Sequence, residues 1–155
     1  MADVLSKKRA QQLASAVHSL IVRRHGVCEA GPVAAFTIGC YGPLQDAHII
    51  PRQAGHHITM MTSELDNLRA SWCLCAAHHR QTDSRPDLWT ELVIATVGLA
   101  HVRALRCFLD DREEAMQGMS VLMWWRSQYA RLLKHAKSTG VDLKTIPRKW
   151  QDYEA

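Results

Sequence analysis

Two groups of residues in this chain have the types and spacing that chemistry requires. The first is Cys75-Ala76-Ala77-His78, two metal donors held close together. A structural zinc takes four N or S ligands in a tetrahedron, usually as two such pairs. Cys28 and Cys40 are the best second pair, although their interval is longer than an ordinary knuckle. An insertion carrying residues 33–38 would explain it if both cysteines return to the base of a hairpin. Cys73 is a rival ligand. Cys107 lies far along the chain and reads as a small buried hydrophobe.

The second group is His48, Asn67 and His79. A neutral histidine can take a proton from water near pH 7. An asparagine amide can hold that base or its loop without adding charge. A histidine opening a helix can ligate a divalent cation, which would stabilise the charge gathered by a phosphodiester under attack. Together the three types suit hydrolysis of a nucleic-acid backbone. Singly each is weak: His48 sits in an apolar run, and asparagine is common in turns.

Elements that would position these residues are legible around them. Helical spacing of Leu5, Leu13, Val17, Leu20, Ile21 and Arg24 predicts a helix over 3–25, with Gly26 as its C-cap. Residues 27–43 are rich in Gly and Pro, with a short extended piece near 34–38. Residues 44–51 form a strand that Pro51 ends. A loop with His56 and His57 follows, then a short turn capped by Ser63. A second strand covers 69–73, and a short helix starts at Cys75. Strand, loop, strand, helix with further helices on both sides is an α+β arrangement.

Pro86 suits the first turn of a new helix that stops at Gly98, and a shorter helix covers 101–108. A long helix from about 112 to 137 has Ala115, Met119, Leu122, Tyr129, Leu132, Leu133 and Ala136 as its stripe. The adjacent Trp124 and Trp125 cannot share a face, so one of them should meet a neighbouring element or a partner. The organisation is therefore an N-terminal helix (1–26), a core (27–85), a helical extension (86–140) and a loosely ordered tail (141–155).

With 155 residues and 47% hydrophobic composition the chain fits one domain with a real core. A net charge of +4 permits nucleic acid as a partner without demanding it. The start, Met1-Ala2-Asp3 followed by basic residues, lacks signal-peptide character, and no apolar run spans a bilayer. A reducing, cytoplasmic setting is the expectation, where cysteine beside histidine reads as metal ligation rather than disulfide.

In order, Ala47-His48-Ile49-Ile50-Pro51-Arg52, Asp66-Asn67-Leu68 and Cys75-Ala76-Ala77-His78-His79 resemble the HNH endonuclease family. The likeness covers about residues 28–83. A weaker likeness through Pro86-Asp87-Leu88-Trp89 resembles the helical extension of phage-type members. The resemblance implies a ββα-metal (His-Me finger) core, a structural zinc beside it, and DNA cleavage in the cytoplasm of a host cell. By position His48 matches the general base, Asn67 the residue holding the base or loop, and His79 the ligand of a catalytic Mg²⁺ or Mn²⁺. Cys28, Cys40, Cys75 and His78 match the zinc ligands. Ala47 stands where the family often has a metal ligand, and Asp83, one helical turn after His79, is the best substitute. Arg52, Arg69, Arg80 and Arg85 flank the site as candidate DNA contacts. Two other functions fit the same residues: a zinc-stabilised DNA- or protein-binding module without catalysis, and a structural partner of phage DNA packaging.

Overall fold

The computed structural model describes residues 5–50, 63–66, 68–110, 116 and 118–154. It is an α+β structure. Helix α1 (Lys7–Arg23) precedes strand β1 (Leu44–His48), a single turn α2 (Ser63–Asp66) and strand β2 (Ser71–Cys75). Helices α3 (Ala76–Ser84), α4 (Pro86–Thr96), α5 (Leu99–Asp110) and α6 (Val121–Ser138) follow, and a 3-10 turn, Arg148–Trp150, comes last. The strands pair antiparallel, with Leu44 opposite Cys75 and His48 opposite Ser71. Among the described residues no single helix is long and apolar enough to cross a membrane.

Apolar residues gather into two cores. In one, Leu13, Val17 and Ile21 of α1 pack on Tyr129, Leu132 and Leu133 of α6. In the other, Ala47, Ile49, Trp72 and Leu74 of the hairpin pack on Leu88, Leu92, Val102 and Leu105 of α4 and α5. Every residue of β2 is buried, so β2 reads as a continuous run rather than an alternating one. Indole N–H groups tie the second core: Trp72 donates to Thr96 Oγ1 and Trp89 to the Ile49 carbonyl, both at 2.9 Å.

Several boundaries differ from the sequence expectations. Helix α1 starts at Lys7 because Ser6 caps it, accepting from the Arg9 N–H at 3.3 Å. Strand β2 runs to Cys75, two residues later than expected, and α3 opens at Ala76. Residues 34–38 are not extended. Successive turns run there, with Gly31 N–H bonded to the Cys28 carbonyl, Val33 to Ala30 and Phe36 to Val33. The last long helix begins at Val121, where Ser120 accepts from the Met123 N–H. Its left-handed Gly118 (φ 69°) marks the break before it.

Trp124 and Trp125 are both buried, packed edge to face at 4.6 Å, so neither waits for an outside partner. Cys107 is exposed rather than buried. The segment after α6 is also docked: Ile146 and Trp150 are buried in the first core. Tyr129, whose buried hydroxyl is pushed up to about 12 and stays protonated, donates to the Trp150 carbonyl. Replacing Tyr129 by Phe leaves that carbonyl only the long 3.4 Å bond from the Tyr153 N–H and should cost about 1 kcal/mol. Urea unfolding measures it, and an unchanged midpoint would show that the 3-10 turn does not depend on this bond.

Candidate metal centre

The β2–α3 junction is built around a tight crossing with residues 41–43. The first N–H groups of α3 lack intrahelical acceptors. Ala76 N–H donates to the Pro43 carbonyl at 3.0 Å and Ala77 N–H to the Tyr41 carbonyl at 3.1 Å. Gly42, between those acceptors, has φ 82°, and a Cβ there would lie 2.9 Å from Ala76 Cβ. Both backbone conformation and space therefore require glycine. The crossing delivers Cys40 to the end of β2, where Cys75 is the N-cap of α3.

Cys28, Cys40, Cys75 and His78 meet there, each offering one ligand atom, all within 4.8 Å of one another. His78 Nδ1 lies 3.3 Å from Cys28 Sγ and 3.7 Å from Cys40 Sγ. A tetrahedron with Zn–S about 2.3 Å and Zn–N about 2.0 Å has edges of roughly 3.5–3.8 Å. The donor set and spacing fit a structural zinc. His78 is buried, and its Nε2–H donates to the Ile38 carbonyl at 3.0 Å, leaving the Nδ1 lone pair toward the sulfurs. Phe36 packs edge-on against the imidazole at 5.0 Å. Gly31 gives the cluster room, since a Cβ there would lie 3.3 Å from Cys40 Sγ.

The thiols feel one another. Desolvation, then hydrogen bonding to and charge on Cys28 and Cys75, push Cys40 up to about 11. Desolvation also acts to raise Cys75, but the His78 and Tyr41 backbone N–H groups and the Cys28 and Cys40 thiols outweigh it, and the net shift is downward. A divalent cation would relieve the crowding that raises Cys40. Cys73 stays outside the cluster, two residues back along β2. It is buried, and burial followed by the Glu29 charge pushes it up to about 11. Its N–H donates to Glu29 at 2.7 Å, so this part of β2 is held by Glu29 rather than by metal.

On α3 the next residue, His79, faces a different neighbour. Its Nδ1–H donates to Gln45 Oε1 at 2.8 Å, and its Nε2 is 3.6 Å from Asp83 Oδ2. The one-turn spacing thus brings His79 and Asp83 together, with Asp83 largely exposed. These two residues could share a divalent cation. Ala47 is buried in the second core and offers no ligand. Alternation along β1 sets His48 on the face opposite Gln45, with Asp46. Asp46 hydrogen-bonds His18 Nδ1 of α1 at 2.9 Å, and both side chains are nearly or fully buried.

Among the candidate DNA contacts, Arg69 is held by Glu29, Arg85 pairs with Asp87, and Arg80 is exposed. Asn67 and Arg52 lie outside the described residues, as do His56 and His57. Asp66, beside Asn67, is bound by Arg131 of α6 at 2.6 Å. The sequence reading missed Gln45, His18 and Glu29. Their partners lie 28 to 44 residues away, and no local spacing points to them. Comparison with protein-family models, with curated proteins and with solved structures finds no match.

Purified protein should carry a single tightly held zinc, lost on Cys75→Ser or His78→Ala and kept on Cys73→Ser. Elemental analysis decides this, and full zinc content in Cys75→Ser would remove the cluster as its site. Because metal must displace protons from the thiols, zinc affinity should fall as pH is lowered. A chelator should then strip the ion faster at acid pH.

Proposed function

We propose that the chain is an HNH-type, divalent-metal-dependent endonuclease that hydrolyses DNA phosphodiesters, with a ββα-metal core stiffened by structural zinc. The observation that carries this reading is the run of hairpin into helix. An antiparallel β1–β2 pair feeds directly into α3, which carries a zinc ligand at His78 and the His79–Asp83 pair one residue on. The order of His48, Asn67 and His79 along the chain supports it.

In this mechanism His48 takes a proton from water, whose oxygen attacks phosphorus. The new P–O bond forms as the bond to the leaving oxygen breaks, and that oxygen takes a proton from solvent. A divalent ion held by His79 and Asp83 would stabilise the charge that builds on the phosphate oxygens. Gln45 fixes the His79 tautomer, so Nε2 is the nitrogen free to ligate. Asn67 holds the loop after His48, and Arg80 is exposed for phosphate contact.

A second reading is a zinc-stabilised binding module without catalysis. Burial of Ala47 in the apolar core favours it, because one customary ligand position offers no donor. Its partner would be DNA or a protein of phage DNA packaging.

Supercoiled plasmid with Mg²⁺ or Mn²⁺ separates the two. The nuclease reading expects nicking that falls at least ~100-fold in His48→Ala. Asp83→Ala should raise the Mg²⁺ concentration needed for half-maximal rate. Zinc-loaded protein that retains DNA but cuts with neither metal would establish the binding module instead.

A further inference from the structure

The contact between α1 and β1 contains a polar group that packing alone does not explain. His18 is fully buried in a helix face that otherwise presents Ala10, Leu13, Ala14, Val17 and Ile21. Its Nδ1 meets Asp46 Oδ2 at 2.9 Å, and the Asp46 side chain is only 5% exposed. Burying such a pair costs desolvation that apolar residues of similar size would avoid. Asp46 Oδ1 is buried with no hydrogen bond of good geometry, although the Ser71 hydroxyl across the strand pair also favours the charged carboxylate. Part of that carboxylate's charge is met by His18, and in so buried a setting the remainder reaches beyond its own contact.

His48 stands within that reach. It is two residues after Asp46 on the same face of β1, about 6.7 Å further along the strand by its rise. It is half-buried at the strand's C-terminal end, opposite Ser71. From this geometry we infer that Asp46, pinned by His18 of α1, is a positioning residue for His48: its carboxylate stabilises the protonated imidazole and makes His48 a stronger base.

The groups facing Asp46 on every side agree with this assignment. His18 approaches from α1, His48 lies on its own strand, and Ser71 and Cys73 face it from β2. Cys73, raised to about 11, is neutral through the physiological range and adds no competing charge. Burial alone would push the Asp46 carboxyl up. The His18 hydrogen bond and charge, the His48 charge and the Ser71 hydrogen bond together outweigh burial and keep it below the ordinary carboxylate range. Asp46 therefore stays ionised at every pH where His48 could act as base. The carboxylate does not take the proton that His48 removes from water. It favours the imidazolium that results.

The base role of His48 rests on the nuclease reading, whereas the coupling of Asp46 to His48 does not. An NMR titration of the imidazole signals in the intact, zinc-loaded chain tests the coupling directly. His48 should titrate above the ordinary histidine value of about 6.5. Asp46→Asn, which keeps the shape and removes the charge, should lower it by on the order of one pH unit. The acid limb of the nicking rate should move by the same amount, which a merely structural role would not produce. A His48 titration unmoved by Asp46→Asn overturns the inference whether or not DNA is cut. If Asp46→Asn does not fold, the wild-type titration decides, and a value at or below 6.5 overturns the inference. A shifted His48 in a protein that never nicks DNA would support the coupling while rejecting the nuclease reading.

Discussion

The four-residue cluster of Cys28, Cys40, Cys75 and His78 is the constraint on which the site's geometry depends. Residues 28–43 form no strand with the hairpin and leave Tyr41 and Ile38 exposed. Turn hydrogen bonds, a few contacts to β2 and the buried Ala30 and Phe36 hold them. Ordering them costs backbone entropy at every residue. A zinc held by three thiolates and an imidazole would add a large favourable term against that cost. The cluster also fixes direction. Pinning Cys40 to Cys75 brings the Tyr41 and Pro43 carbonyls onto the first N–H groups of α3, and so sets where the helix starts. With His78 held toward the sulfurs, His79 is turned by one helical step to meet Gln45. The four-residue cluster and the proposed cation pair are thus joined through a single peptide bond.

What could be read from the sequence follows from how local each signal is. Cys75 and His78 lie within one turn of each other, and the residue types alone announce a metal pair. Cys28 and Cys40 were legible as its complement because, in the reducing setting expected from the sequence, clustered cysteines have few other uses. The first strand was legible but overextended, since β1 ends at His48, before the Ile49-Ile50 pair that suggested it, and α3 was legible from the polar run after Cys75. The turns at 31–38 were not, because Val33, Phe36 and Ile38 have strand-like types. They form turns because no strand pairs with them, and Phe36 is drawn under His78. The docking of Trp150 was equally hidden, since Pro147-Arg148-Lys149-Trp150 looks like a polar tail until Tyr129 supplies its donor.

The two hydrophobic cores meet along a seam where specificity comes from charge rather than apolar area. Helix α1 belongs to the first core through Leu13, Val17 and Ile21, yet His18 reaches across to Asp46 of the second. Arg131 of α6 reaches across in the same way to Asp66. Apolar faces slide with little change in energy, whereas a buried hydrogen-bonded pair has one good geometry. The His18–Asp46 bridge therefore ties α1 to the hairpin, and the part-buried Arg131–Asp66 bridge ties α6 to α2. Both land beside residues of the proposed reaction, since Asp46 is two residues from His48 and Asp66 adjoins Asn67.

That placement bears on why a chain with a buried Ala47 could still be built for catalysis. With no donor at Ala47, a cation at the proposed site would be carried by His79 and Asp83. The small Ala47 side chain stands opposite Trp72 and is buried in the second core. The opposite face of the strand is then free to carry Asp46 and His48 toward α1. In the proposed reaction the electrostatic help would come from two directions. The exposed side of α3 offers His79 and Asp83 for a cation, and the buried side of β1 offers a fixed carboxylate for the base. A preorganised charge in a dry setting does not have to reorient when the transition state forms. This is why a buried Asp46, costly as it is for folding, is better placed to act on His48 than an exposed acid would be.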